Sequence, residues 1–198
     1  MQIRPHIEKE TLRGGVSNML VAGAVALVLF CAELLEAADS PAASEAQVKA
    51  VFLFNFAKYV EWPAAAFPNA TAPITIGVMG TNPFGDNLEH VVEGKAINGR
   101  PFVIKHYAAD SEVSGCQILF IGHSEASRMG AILAKASALP ILTVGEDEAF
   151  ARNGGIIDFV LKNGNVRLEI DLAAAKKAGL TISSRLLAVA DVVKGKTN

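Results

Sequence analysis

The chain has 198 residues, of which 51% are hydrophobic, and its mean hydropathy of +0.34 is high for an ordinary soluble protein. It carries 18 basic and 20 acidic residues. Because there is no basic excess, the composition excludes the electrostatic footprint expected of a protein that binds nucleic acid or an anionic membrane surface.

The apolar residues are concentrated near the N-terminus, where residues 19–30 (MLVAGAVALVLF) carry no charge and follow a basic stretch. This order is typical of a secretory signal. The segment is shorter than the roughly 20 apolar residues that span a bilayer. We therefore expect residues 1–38 to be a cleaved signal peptide, 39–44 to be a flexible lead-in, and 45–194 to form one domain. An uncleaved anchor is the alternative.

Cleavage of the signal would leave a nearly neutral chain, with 15 basic and 16 acidic residues. We place its start near Asp39, although Ala37, Ala42 and Ala43 also offer the small residue that cleavage requires. Only Cys116 would remain, so an intramolecular disulfide is excluded. We expect Cys116 to be a small buried residue and not a redox centre.

The first element of the mature chain is predicted to be a helix that begins at Ser44 and ends before Trp62 and Pro63. Ser44 and Gln47 have the spacing of a capping box, and the apolar stripe that follows is wide. Strands and helices then alternate, as in parallel β units. The strands are predicted at 74–79, 101–107, 117–121 and 140–144, and the helical segments at 84–92, 124–137 and 146–151.

The C-terminal part is predicted to open with a hairpin of 156–161 and 166–170, since Asn163 and Gly164 suit its tight turn. Helices over 172–178 and 183–193 follow. The fold class is therefore α/β: a single three-layer domain with a mostly parallel central sheet and a C-terminal hairpin-plus-helix element.

The strongest catalytic candidate is Ser124, in the sequence Gly-His-Ser-Glu-Ala between a strand and a helix, where a hydrolase nucleophile would lie. That fold places its catalytic histidine after the serine, and no histidine follows Ser124 in this chain. We expect Ser124 to cap the helix instead. A serine hydrolase remains the less favoured alternative, and no catalytic residue is assigned.

Three other motifs are given structural interpretations. The glycines around Gly80 lack the spacing of a phosphate-binding loop, so a turn is expected, with small-ligand binding as the alternative. The acidic residues 146–148 suit a helix start. Metal binding is not expected, and no cofactor is assigned, because the histidines are scattered without ligand neighbours. They are His90, His106 and His123.

Three stretches together resemble the YfiR family of periplasmic proteins: KAVFLFNFAKYVEWP (49–63), CQILFIG (116–122) and the long block at 141–190. The resemblance implies a non-catalytic, often dimeric α/β domain that binds the periplasmic part of an inner-membrane diguanylate cyclase. Repression of the cyclase would lower cyclic di-GMP and biofilm formation. The best-known members of the family carry disulfide pairs, whereas the mature chain here would have one cysteine, Cys116. A periplasmic small-ligand sensor is the alternative function.

Three residues are predicted to contact the partner. Tyr59 and Trp62 end the first aromatic-rich helix, and Trp62 is the best candidate there for partial exposure, while core packing accounts for most of the other aromatics. Arg185 presents a rigid fork of donors suited to carboxylate or phosphate. Its internal option is an ion pair with Glu169 or Asp171, which we favour.

Overall fold

The structure, a computed structural model, describes residues 41–108 and 113–195, and for 41–44 the backbone alone. The predicted signal peptide lies outside the described residues. The helices are α1 (Pro41–Tyr59), α2 (Asn87–Val92), α3 (Met129–Ala136), α4 (Leu172–Lys177) and α5 (Ser184–Leu187), with 3-10 turns at Ala64–Ala66, His123–Arg128 and Ala151–Asn153. The strands are β1 (Val60–Glu61), β2 (Ile74–Met79), β3 (Ala96–Ile97), β4 (Arg100–Tyr107), β5 (Ile118–Ile121), β6 (Leu142–Gly145), β7 (Ile157–Lys162), β8 (Asn165–Asp171), β9 (Thr181–Ile182) and β10 (Ala190–Val193).

Eight of these strands form one sheet in the order β10-β8-β7-β6-β5-β2-β4-β3. The central strands β7, β6, β5, β2 and β4 are parallel, and β10 is parallel to β8. Antiparallel pairing occurs between β7 and β8 and between β3 and β4. β1 and β9 form a separate antiparallel ribbon. The predicted α/β class with a mostly parallel central sheet is confirmed.

The sheet is covered on both faces, as the alternation of side chains along β5 shows. Ile118 and Phe120 join the larger apolar cluster, which includes Leu53 and Phe56 of α1. Leu119 and Ile121 face a second cluster that contains Ile132 and Leu133 of α3. Successive residues of a strand point to opposite faces. A strand buried on both faces is therefore continuously apolar, which is why this one was predictable.

Helix α1 begins at Pro41, three positions before the predicted start at Ser44, so the last residues of the expected lead-in are helical. Proline is tolerated in a first helical turn, where its missing N–H has no partner to lose. The helix ends at Tyr59, because the next two residues pair with β9, Val60 lying opposite Ile182.

Two hairpins turn on an Asn-Gly pair. The predicted one joins β7 to β8 through Asn163 and Gly164, whose φ angles are 53° and 73°. Asn98 and Gly99 join β3 to β4 in the same way, with φ angles of 53° and 77°. This second hairpin was not predicted, although the same dipeptide signal was present.

The predicted helix over 183–193 is wrong in its second half. α5 ends at Leu187, and Ala190–Val193 forms β10 instead, parallel to β8 from Leu168 to Asp171. Without β10, β8 would be the edge strand of the sheet and would expose unpaired backbone groups. The stabilisation gained by pairing with β8 outweighs the helical propensity of this short apolar segment. That pairing is available only in the assembled sheet.

A carboxyl group is buried at the centre of the C-terminal half of the sheet. Asp158 of β7 is fully buried, and neither carboxylate oxygen has a hydrogen-bond partner of normal geometry among the described residues. Burial raises its pKa to about 7, and the charges of Glu169 and Asp147 act in the same direction. The nearby backbone N–H groups of Ala151 and Phe150 oppose this shift without cancelling it.

The Asp158→Asn variant should change the pH dependence of folding. The native state holds the Asp158 proton to higher pH than the unfolded chain, so its contribution is full below about pH 4 and lost as pH rises to about 7. Asparagine does not titrate. The unfolding free energy of the variant minus that of the wild type should rise by up to about 4 kcal/mol across that interval. Urea denaturation at several pH values measures this difference, and a difference independent of pH would contradict the assignment.

Candidate functional site

The β1–β9 ribbon brings two of the three predicted partner-binding residues onto neighbouring segments. Tyr59 precedes β1, and its backbone carbonyl accepts a hydrogen bond of 2.8 Å from the N–H of Ser183, which follows β9. The Ser183 hydroxyl caps α5 by accepting from the N–H of Arg185 at 3.3 Å. Tyr59, Glu61, Trp62 and Arg185 lie in this ribbon or within three residues of it, and we call these four residues the ribbon surface.

The predicted ion pair of Arg185 is wrong. Glu169 pairs with Arg152 at 3.1 Å and with Lys162 at 3.6 Å. Asp171 caps α4 by accepting from the N–H of Ala173 at 2.7 Å. Within residues 41–108 and 113–195 the exposed Arg185 guanidinium has neither an ion-pair partner nor a hydrogen-bond partner, so its donors face solvent.

Trp62 is half-buried and packs against the larger apolar cluster. Its indole Nε1 donates to the backbone carbonyl of Gln117 over 3.1 Å. Part of this side chain therefore serves the fold, and only the remainder is available to a partner. Tyr59 is also half-buried, whereas Arg185 is exposed.

Gln117 lies at the amino end of β5 and was missed as an organising residue. Its side chain accepts from the N–H of Thr75 and donates to the carbonyl of Ala66, both at 2.8 Å. Its backbone bonds Thr75 and the N–H of Leu142 at 3.0 and 2.9 Å. One glutamine before an apolar run forms no sequence pattern, so nothing short of the fold could have identified it.

The opposite end of the sheet contains the motifs that suggested chemistry. Between β2 and β5 the chain reverses its direction of winding, and in such folds ligands bind outside the carboxyl ends of these strands. Here the N–H of Gly122, directly after β5, donates to the carbonyl of Met79, the last residue of β2, at 2.9 Å. A Cβ at Gly122 would lie 2.4 Å from the carbonyl oxygen of Thr81. The crevice is therefore filled by backbone.

The predicted helix cap at Ser124 is also wrong. The 3-10 turn His123–Arg128 has Gly122 at its cap position, and the Ser124 hydroxyl accepts instead from the N–H of Thr81 at 2.9 Å. The contact joins the loops that follow β2 and β5. Ser124 therefore helps to close the crevice between them.

A hydrolase is not supported by this arrangement. His123 lies next to Ser124 in sequence, but its Nδ1 bonds the carboxylate of Asp147, which raises the pKa of His123. Within the described parts of the chain, no hydrogen bond connects the His123 ring to the Ser124 hydroxyl, so the serine lacks a general base.

The acidic residues 146–148 do not begin a helix, contrary to expectation, since the next helical turn is Ala151–Asn153. Glu146 accepts from Lys49 of α1 at 2.7 Å, and Glu45 lies 2.5 Å from the same ammonium group. Burial lowers the pKa of Lys49, but these two carboxylates more than offset it, so the pKa is raised. The ion pair of Glu146 with Lys49 thus links the end of β6 to α1.

Cys116 is buried, and its thiol donates to the carbonyl of Val113 at 3.0 Å. Burial raises its pKa to about 12, so the reactive thiolate is not formed at neutral pH. Among residues 41–108 and 113–195, no three histidine, cysteine or carboxylate side chains converge in a way that could hold a metal ion. None of the helices in these same residues combines the length and hydrophobicity of a membrane span.

The fold and these contacts define an α/β domain whose usual ligand crevice is closed and whose free functional groups lie on its surface. A family model described as YfiR/HmsC-like matches residues 46–191. The chain belongs to the YfiR/HmsC-like family. At the family level, this supports a periplasmic regulator of diguanylate cyclase. No curated protein matches the chain.

Two solved structures share the fold. A conserved domain protein from Vibrio cholerae O1 biovar El Tor str. N16961 is 13% identical, with a TM-score of 0.52. The ABC domain in complex with L-Trp from Streptococcus pneumonia is 14% identical, with a TM-score of 0.50. Each comparison covers 75% of this chain and 60% of the other. At such identities the likeness concerns the fold alone.

Replacing Trp62 by Phe should separate its two roles. The variant loses the 3.1 Å bond to Gln117 but keeps most of the apolar contact. Because the Gln117 carbonyl still accepts from Leu142, we expect a loss of only about 1 kcal/mol in unfolding free energy. Trp62→Ala should cost more, about 2–3 kcal/mol, since it also removes the ring of a half-buried side chain. Equal losses measured by urea denaturation would show that packing contributes nothing.

Replacing Arg185 by Ala should leave stability within about 0.5 kcal/mol of wild type, because the side chain has no internal partner and is exposed. Arg152→Ala is the matched control, since Arg152 pairs with the largely buried Glu169 and its loss should destabilise measurably. Thermal unfolding of the three proteins makes the comparison. A destabilised Arg185→Ala protein would indicate an internal role that its contacts do not explain.

Proposed function

We propose that this protein is a non-catalytic periplasmic regulator that binds an inner-membrane diguanylate cyclase from the periplasmic side and represses it. The observation that carries the proposal is the family match over residues 46–191. The contacts of Ser124 and the closed loop crevice support a binding role over catalysis. Repression would lower cyclic di-GMP and reduce biofilm formation.

The ribbon surface is the proposed contact with the cyclase. Arg185 offers an unpaired guanidinium, and Tyr59, whose carbonyl bonds the N–H of Ser183, and Trp62 each leave part of their rings exposed. Arginine, tyrosine and tryptophan are the residues most enriched at binding hot spots. A rigid fork of donors matches a carboxylate in two parallel hydrogen bonds. The partner surface is therefore expected to present an acidic residue beside an apolar patch.

Repression requires the protein to prefer the inactive conformation of the cyclase. A ligand that binds both conformations equally shifts neither, whereas a tenfold preference corresponds to about 1.4 kcal/mol. One charge-assisted hydrogen bond supplies about 1.5–3 kcal/mol. A contact at Arg185 that forms with only one conformation is thus sufficient in magnitude.

Deleting the gene should raise cyclic di-GMP and surface attachment, and the wild-type gene should restore both. Arg185→Glu should fail to restore them although the protein is folded and exported, because the reversed charge repels a carboxylate partner. Lys176→Glu, at an exposed position of α4, is the matched control and should restore repression. The measurements are cyclic di-GMP content and attached biomass in strains in which the cyclase is expressed.

Two outcomes would contradict the proposal at different levels. Unchanged cyclic di-GMP in the deletion strain would remove the repressor function. Normal repression by Arg185→Glu would leave that function standing but would exclude the ribbon surface as the contact.

A small-ligand sensor is the second candidate, favoured by a cavity of about 580 Å³ between α3 and α4. The volume lies within the roughly 300–1,000 Å³ of ligand sites. Its lining mixes apolar Leu133 and Ile141 with polar Ser137, Thr143 and Asn153. A metabolite that binds only the native state raises the melting temperature, so a thermal-shift screen tests this candidate.

A further inference from the structure

The outer edge of β4 is largely unpaired. The two residues of β3 pair only with Arg100 and Pro101. From Phe102 to His106, no strand in the described parts of the chain lies on the side of β4 away from β2. An exposed strand edge is a template for pairing with another chain, and proteins usually shorten or cover such edges.

The backbone groups on this edge can be assigned from the hairpin. Ile97 and Arg100 flank its two-residue turn, so Arg100 directs its N–H and C=O toward β3. Alternate residues of a strand direct these groups to the same side. Phe102, Ile104 and His106 therefore direct theirs outward, away from β2. Among the described residues, none of these three outward pairs is occupied.

A groove of about 700 Å³ lies beside this edge, between β4 and α2. Ile104 and His106 of β4 line one side, and the buried Val92 of α2 also lines the groove. The α2 wall is exposed and carries three carboxylates, from Asp86, Glu89 and Glu93, together with the imidazole of His90. Glu89 approaches His106 to 3.8 Å across the groove. An open strand edge beside a helix is the geometry in which domains capture extended peptides by strand addition.

We propose that this groove binds an extended segment of a partner protein that carries basic residues at alternate positions, and that the segment adds to β4 as a further strand. Backbone bonds to Phe102, Ile104 and His106 would hold the segment in register. Its basic side chains would lie along the carboxylates of α2. The site goes beyond the proposed function, because it uses other elements than the ribbon surface and does not require a cyclase.

The acidic wall decides between a basic partner and a second copy of this chain. In a symmetric dimer through β4, each copy would bring the same surface to the interface. The α2 carboxylates of both copies would then approach each other, and like charges at an interface are unfavourable. A basic segment meets the same wall with opposite charge.

The test uses two synthetic hexapeptides with the whole protein: one of alternating valine and lysine, and one of alternating valine and glutamate. At low ionic strength the lysine peptide should bind and should slow hydrogen exchange at the amides of Phe102, Ile104 and His106. The glutamate peptide should bind at least tenfold more weakly. Equal affinity for both peptides, or no added protection of these amides, would overturn the proposal.

Two pairs of variants test the charge and the backbone separately. Glu93→Lys should weaken binding of the lysine peptide at least fivefold, and the added charge suits the end of α2. Glu148→Lys makes the same charge change at an exposed site elsewhere and should leave binding unchanged. His106→Pro removes an outward N–H and should abolish binding, whereas His106→Ala keeps that N–H and should retain it.

If His106→Pro does not fold, the Glu93 and Glu148 variants and the exchange pattern still decide the question. Equal effects of Glu93→Lys and Glu148→Lys would refute recognition by the acidic wall. Sedimentation that reveals a dimer sensitive to substitution on the β4 edge would assign the groove to a second copy and overturn the choice of a basic partner.

Discussion

Through its side chain and its backbone, Gln117 joins three separate segments of the chain to β5: β2, β6 and the segment that follows β1. Its side-chain amide bonds Thr75 at the start of β2 and Ala66 in the turn after β1, and its backbone bonds Thr75 and Leu142. Trp62 donates to its carbonyl as well. These groups are buried or partly buried, so the loss of one partner would leave the other as a desolvated polar atom without a hydrogen bond. The free-energy cost of such an atom exceeds the net stabilisation that the hydrogen bond provides. The amino ends of three neighbouring strands and the segment that leaves α1 are thereby fixed relative to one another.

The two ends of the parallel strands consequently differ. At the amino end, polar contacts from Gln117 and Trp62 align the strands. At the carboxyl end, the loops after β2 and β5 pack backbone against backbone, which requires glycine at position 122. Folds of this class usually place ligands at that second end. Here the backbone of Thr81 lies against Gly122 at that end, whereas the exposed charged groups without internal partners lie elsewhere on the domain.

Charge is distributed in keeping with this division. The carboxylates near the C-terminal half of the sheet are mostly committed: Glu146 to Lys49, Asp147 to His123, and Glu169 to Arg152 and Lys162. Arg185 is uncommitted, and α2 presents a row of exposed carboxylates beside an open strand. Groups whose electrostatic interactions are satisfied internally stabilise the fold, whereas those left in solvent are available to a partner. The ribbon surface and the α2–β4 groove are both of the second kind.

The amino-acid sequence determined the α/β class, the buried central strands and the hairpin at Asn163 and Gly164, because these depend on local pattern and turn chemistry. The family resemblance was equally accessible, since its motifs are contiguous in the chain. Tertiary structure alone decided that Ala190–Val193 is a strand, that Glu169 pairs with Arg152 and not with Arg185, and that Ser124 binds Thr81. Each of these outcomes is a competition among groups distant in sequence. The outcome depends on which groups the assembled sheet brings within hydrogen-bonding distance of one another. The local propensities of the residues do not determine these distances.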